Sequence, residues 1–151
     1  MHVFISVNIV TLLLGLSLLF ILLVIIVNLK TIKSEKEYAD FLGTIEGIKF
    51  FCYNNRKKNK EFIETTILPT LSSDIKIIYV DGKIPKSDYD QNFISTLLYS
   101  IKDRKGFPYL LKISNGQLVD KSISQDFYKT MNQNKDIRHL NENINSFYQS
   151  T

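Results

Sequence analysis

The chain has 151 residues, with 19 Lys and Arg against 15 Asp and Glu, for a formal charge of +4. A surplus this mild, spread along the chain, excludes the dense basic stripe of a nucleic-acid binder. One cysteine, Cys52, excludes an intrachain disulfide and a cysteine-rich metal site, and His2 and His139 sit near opposite ends with no ligand-like spacing to carboxylates. No catalytic residue, metal or cofactor is expected.

From Val3 to Leu29 the sequence is apolar and uncharged, with Ser6, Asn8, Thr11, Ser17 and Asn28 as its polar members. About 27 residues rising ~1.5 Å each reach roughly 40 Å, more than the ~30 Å hydrocarbon core of a bilayer. Residues 1–30 are therefore expected to be a single transmembrane anchor in contact with the lipid bilayer. A cleaved signal peptide carries a basic start and small residues at its cleavage site. Here no Lys or Arg precedes the run, and it closes on Ile25, Ile26, Val27, Asn28 and Leu29. Lys30, Lys33 and Lys36 follow, and by the positive-inside rule they place the next domain in the cytoplasm. Residues 31–47 read as a helical connector that continues the membrane helix into water and ends at Gly43 and Gly47.

Residues 48–151 suit one compact α/β domain. Ile48 to Tyr53, aromatic and bounded by Gly47 and Asn54-Asn55, reads as a buried strand. Arg56, Lys57, Lys58 and Lys60 form the one concentrated basic cluster, read as a solvated loop with contact to anionic lipid as the alternative. Lys60 to Leu71 reads as a helix, with Phe62, Ile63, Ile67 and Leu71 on one face and Pro69 near its end. Ile75 to Val80 is a second strand, closed by the turn pair Asp81-Gly82. That turn, with Asp88 and Asp90, has a trace of a calcium loop but lacks the glutamate at the twelfth position, so it reads as a solvated turn.

Asp88 to Lys102 is a one-sided helix through Phe93, Ile94, Leu97, Leu98 and Ile101. After Gly106-Phe107-Pro108, the runs Tyr109–Ile113 and Gln117–Ser122 are strands around Asn115-Gly116, a pair suited to the positive φ that a tight hairpin requires. Residues 124–136 read as a polar loop, and Ile137–Gln149 as a final helix carrying Leu140, Ile144 and Phe147. The order predicts a mixed four-stranded sheet flanked by helices. Its first two strands are parallel through a right-handed crossover, and its last two form an antiparallel hairpin.

This order, with Pro108 opening the third strand and Asn115-Gly116 behind it, resembles the thioredoxin fold over residues 48–149, most specifically from Phe107 to Ser122. The resemblance implies a cis Phe107–Pro108 bond beside the functional site. The uncharged start with Ser6-Val7-Asn8 and the Leu/Ile-rich anchor is similar to membrane-tethered redoxins. These include the methylamine-dehydrogenase accessory type and proteins beside bacterial peptide-maturation systems. Such proteins generally work outside the cytoplasm, the side opposite to the one the lysines favour.

Redox-active members carry Cys-x-x-Cys between the first strand and the first helix, where the helix N-terminus activates the thiolate. Here that stretch is Asn54 to Lys60, with Arg56 and Asn59 at the cysteine positions, and neither can form a mixed disulfide. The chain therefore resembles a degenerate member without the motif. Cys52, inside an aromatic strand, reads as a buried structural thiol. The site that the resemblance implies is the proline edge, bordered by Tyr53, Asn54, Arg56, Phe107 and Pro108, where strand backbone pairs with an extended peptide.

The expectation is thus a membrane-tethered, redox-inactive thioredoxin-like accessory domain that binds a protein or peptide partner and no nucleic acid. Two alternatives stand beside it. One is a redoxin-class enzyme using Cys52 alone; the other is a small membrane immunity or interaction protein that works through its helix.

Overall fold

The computed structural model describes residues 2–133 and 136–150, with side chains described from residue 9 onward. The side chains of Ser6, Val7 and Asn8 lie outside that description. The chain divides into two compact units, Met1–Ala39 and Asp40–Thr151.

Helix α1 (His2–Thr44) makes up the first unit, and its last residues belong to the second. A window of 18 residues within Ile9–Thr44 has a mean hydropathy of 3.2, and none of it is buried. Leu12, Leu18 and Phe20 lie on different sides of the helix and are all exposed. A helix apolar all round and uncovered by protein has the length and composition to cross a membrane. The segment expected as a connector stays helical through Thr44, and the chain then turns at Gly47, whose φ of +77° favours glycine.

The second unit is built on a five-stranded mixed sheet: β1 (Lys49–Asn54), β2 (Ile75–Asp81), β3 (Ile84–Lys86), β4 (Tyr109–Ser114) and β5 (Gln117–Ser122), in the order β3-β2-β1-β4-β5. β1 and β2 run parallel, and every other neighbouring pair is antiparallel. The four strands expected from the sequence are present; the fifth, β3, corrects that expectation. Asp81-Gly82 is the turn of a short hairpin, with Val80 opposite Pro85. A proline in a three-residue run argues against a strand, yet it is tolerated here because β3 is an edge.

The central strand β1 is buried on both faces, from Phe50 through Tyr53, as a strand with helices above and below must be. On one face Phe51, Tyr53, Ile75 and Leu110 pack against Ile63, Ile67, Phe127, Leu140, Ile144 and Phe147. On the other, Phe50 meets the edge of Tyr89 at 5.4 Å, and Phe41 stacks on Phe93 at 4.6 Å. Helix α3 (Gln91–Tyr99) buries Ile94 and Leu97 there. Asp90 fixes its start by accepting from the N–H groups of Asn92 and Phe93 at 2.9 and 3.2 Å.

The helix expected over 60–71 starts earlier, as α2 (Lys57–Phe62). It then widens into a π turn at Ile63–Ile67 and tightens into a 3-10 turn at Leu68–Thr70. Pro69 can donate no hydrogen bond to the preceding turn, so regular α geometry cannot run through it. The loop expected over 124–136 is corrected too: residues Ser124–Gln133 form helix α4, and Ile137–Gln149 form α5. Only Phe127, Tyr128 and Met131 give α4 an apolar side, too sparse a pattern to read as a helix in sequence. One buried lysine closes the packing. Lys112 of β4 donates to the carbonyls of Phe147 and Ser150 at the end of α5, where a cation satisfies carbonyls that lack helical partners.

Phe127 distinguishes a packed helix from a surface loop. Phe127→Ala is expected to lower the unfolding free energy of the full chain by about 3–5 kcal/mol, measured by urea denaturation in detergent. A loss near 0.5 kcal/mol, the scale of surface changes, would mean that α4 does not pack.

Candidate functional site

The β1–β4 ladder runs from Lys49 opposite Lys112 to Cys52 opposite Tyr109, and there it stops. The next residue on the β4 side is Pro108, whose backbone faces β5, so the next groups due to meet β1 are those of Phe107. β1 nonetheless continues beside β2, as far as Asn54 opposite Val80. The chains leaving β1 and entering β4 therefore part. The carbonyl of Pro108 accepts from Ile123 at 3.0 Å. The Phe107–Pro108 peptide is cis. Among the described residues, neither the N–H nor the C=O of Phe107 has a hydrogen-bond partner.

A cleft of about 290 Å³ opens at this divergence, between Asn54 and Arg56 on one side, Lys105, Gly106 and Phe107 on another, and Ser124, Gln125 and Tyr128 of α4. Beyond Phe107 lies a second cleft of about 260 Å³, lined by Leu98, Tyr99, Ile101, Arg104, Phe107 and Tyr109. Tyr99 is 82% exposed there, and the ring of Phe107 stands edge-on to Tyr109 at 5.0 Å.

The loop that carries Phe107 is fastened to β5 and α4. Asp120 accepts from the N–H of Lys102 at 3.2 Å and of Asp103 at 2.7 Å, and Asp103 in turn accepts from Ser122 N–H at 3.0 Å. Ser122 Oγ donates to Gly106 O at 2.5 Å, and Ser124 Oγ to Lys105 O at 3.1 Å. Gly106 itself sits at φ +114° and donates to Tyr109 Oη at 3.1 Å. The Ser122 N–H above all holds the Asp103 carboxyl below the usual carboxylate range; burial opposes it, and Lys105 adds to the lowering.

Arg56 caps the start of α2 and is exposed; Asn59, one turn on, is buried. Asn59 Nδ2 donates to Tyr128 Oη at 2.7 Å, and Arg56 Nη1 to the same oxygen at 3.4 Å. The two positions matched to the cysteines of a redox motif thus converge on one hydroxyl of α4. Tyr128 escaped the sequence reading because its segment looked like a loop; the pairing of Phe127-Tyr128 with Met131 was the only signal.

Of the residues expected at the site, Asn54, Arg56 and Phe107 share the cleft, and Pro108 is buried. Tyr53 turns into the core instead, where its hydroxyl donates to Glu64 at 2.8 Å. Burial, with the Glu64 carboxylate beside it, pushes its phenol well up. Cys52 has no exposed surface, and burial raises its thiol far above the usual range. It faces neither cleft. Among the described residues, no three of His, Cys, Asp or Glu gather closely enough to hold a metal ion.

Two outcomes follow from this geometry. Cys52 in the folded full chain is expected to resist a maleimide reagent and to label only after denaturation; rapid labelling under native conditions would place the thiol at the surface. For Asp103, a folded carboxyl that titrates below its ordinary value near ~3.9 stabilises above that value and loses the effect as pH falls through the folded value. Asp103→Asn should therefore cost about 1 kcal/mol at neutral pH, a figure kept low for a partly exposed group. The gap from the parent should close in urea melts taken at progressively lower pH, and a gap independent of pH would sink the assignment. No protein-family model matches this chain, and no curated protein or solved structure shows significant similarity to it.

Proposed function

We propose that the chain is a membrane-tethered, redox-inactive thioredoxin-like accessory domain whose cleft at the β1–β4 divergence binds an extended segment of a protein or peptide. The observation that carries this reading is the broken ladder. A strand end with an unbonded N–H and C=O at Phe107, next to a side-chain-lined cleft, is a place where another extended chain can add its own backbone hydrogen bonds.

The order β2-β1-β4-β5, with a proline ahead of β4, supports the thioredoxin-like assignment, with β3 as an addition at the edge. Redox inactivity rests on chemistry. Arg56 and Asn59 carry no sulfur, and a buried Cys52 is a poor thiolate. The tether rests on α1, whose uncovered apolar sides need lipid around them and whose apolar run closes on Ile25, Ile26, Val27, Asn28 and Leu29 rather than on the small residues of a cleavage site.

The test pans the full chain, held in phosphatidylcholine nanodiscs, against a displayed library of random peptides. Selected peptides are then remade with single backbone N-methyl groups. Pairing with Phe107 is expected to make N-methylation costly at one position, with affinity falling about 10-fold or more, equivalent to ~1.4 kcal/mol, while the positions on either side tolerate it, since strand contacts alternate. The same protein should not reduce insulin with dithiothreitol. Failure to select any peptide, or indifference to N-methylation along the whole peptide, would overturn the reading.

A further inference from the structure

The first cleft has more hydrogen-bond donors than acceptors to meet them. A phenol oxygen has two lone pairs, and those of Tyr128 already receive Asn59 Nδ2 and Arg56 Nη1. Its own O–H proton finds no acceptor among the described residues. Arg56 carries five N–H groups; its side chain makes one long contact, with Tyr128, and no ion pair among the described residues. Two neutral acceptors of the lining, the Phe107 carbonyl and the Gln125 amide oxygen, receive no hydrogen bond from Arg56 or Tyr128, and the others are engaged elsewhere. The carbonyls of Lys105 and Gly106 receive the serine hydroxyls, and Asn54 Oδ1 receives Arg56 N–H at 3.4 Å. Asp103, the carboxylate of this loop, is held by Ser122 N–H and by Lys105 at 3.3 Å.

What such a cleft lacks is a negatively charged group that only accepts. A carboxylate fits: it takes two hydrogen bonds from a guanidinium in the forked arrangement and can take a third from the hydroxyl of Tyr128. On the far side of Phe107 the chemistry reverses. Leu98, Tyr99 and Tyr109 offer apolar and aromatic surface, and Arg104 is already turned onto the carbonyls of Ile101 and Tyr99, at 3.3 and 3.5 Å.

Resting on the peptide-binding reading, we infer that the partner segment is acidic on one side of Phe107 and apolar on the other. An Asp or Glu side chain is held by Arg56 and Tyr128, and a large apolar side chain is lodged against Leu98 and Tyr99. Arg56 and Tyr99 are exposed, so the segment meets both without any opening of the fold. Arg56 is the charge anchor and Tyr128 the hydroxyl that shapes its reach.

The experiment uses peptides selected on the full chain in phosphatidylcholine nanodiscs, all remade with amidated C-termini so that only side-chain carboxylates remain. Selected peptides are expected to carry Asp or Glu together with a large apolar residue, and exchange of the acid for its amide should weaken binding about 10-fold or more. Arg56→Glu should reverse the preference and select Lys or Arg at that place. Tyr128→Phe should weaken acidic peptides severalfold while leaving their amide versions unchanged. Tyr99→Ala should weaken binding without altering the charge preference.

Peptides that bind equally well with the acid amidated would overturn this inference and leave the peptide-binding reading standing. Peptides that bind only with a free C-terminus would overturn it in favour of terminal-carboxylate capture. Arg56-dependent co-sedimentation with vesicles of equal parts phosphatidylcholine and phosphatidylserine, unaffected by acidic peptide, would reassign Arg56 to lipid and overturn it as well. Selection of no peptide at all would remove the peptide-binding reading itself.

Discussion

A sheet is held by N–H and C=O groups that must find partners, and the β1–β4 ladder ends at Cys52 and Tyr109, leaving those of Phe107 without one among the described residues. β1 cannot shorten in response, because β2 still pairs with it as far as Asn54. The two chains separate instead, and their separation leaves Asn54 and Arg56 on one bank and Phe107 on the other. The remaining features of the site serve to keep that opening in one shape. The carboxylates of Asp103 and Asp120 and the hydroxyls of Ser122 and Ser124 satisfy the backbone of the loop before Phe107, so the loop is anchored to β5 and α4 rather than left to solvent. Among the described residues, Phe107 alone in that loop has no hydrogen-bond partner for either backbone group.

On the proposed thioredoxin-like reading, the same region carries hydrogen bonding where sulfur chemistry would sit. A dithiol site needs one exposed sulfur at the helix start and a second, sheltered one a turn later. On the proposed reading those two positions are held by Arg56, exposed, and Asn59, buried, a guanidinium and an amide. Both reach Tyr128, so groups that cannot exchange electrons with a substrate instead fix the position of a hydroxyl. Cys52 lies on the strand just before, with Ile78 and Tyr109 as its register neighbours. Its burial belongs to the packing of a central strand and adds nothing to the chemistry of the cleft.

How far these features were legible depended on how local their causes are. The hairpin of β4 and β5 follows from Asn115-Gly116, which sit at φ +55° and +68° as a tight turn demands. The burial of β1 on both faces, and with it that of Cys52, follows from a run of aromatic residues between turn signals. β3 was hidden because Pro85 in a three-residue run contradicts strand propensity, and only the free edge of β2 makes it acceptable. α4 was hidden because its burial depends on Phe127 finding Phe62 and the rest of the core, a contact between distant segments. Tyr128 was lost with it. So was the carboxylate of Glu46, whose two oxygens receive the N–H groups of the Asn115-Gly116 turn from about 70 residues away in the chain. The Arg56 bank of the cleft was legible; the bank that gives it chemical meaning was not, since its position is set by tertiary packing alone.

On the proposed reading, the anchor also changes how strong the cleft must be. A cleft of about 290 Å³ with a neighbour of about 260 Å³ accepts a few residues of a partner, far less than the roughly 800 Å² per side of a standard stable interface. Free in solution, such a contact is weak, because it must offset the full loss of translational and rotational freedom. A domain tied by α1 to the bilayer that also carries its partner meets that partner at an effective concentration that reaches the millimolar range for short tethers. Modest affinity at Phe107 and Arg56 then suffices for occupancy, and selectivity passes from contact area to chemistry: a carboxylate where Arg56 and Tyr128 have hydrogen bonds to give, and an apolar side chain where Tyr99 stands open. A weak, chemically selective cleft is what a tethered accessory domain needs if it is to release its partner as readily as it captures it.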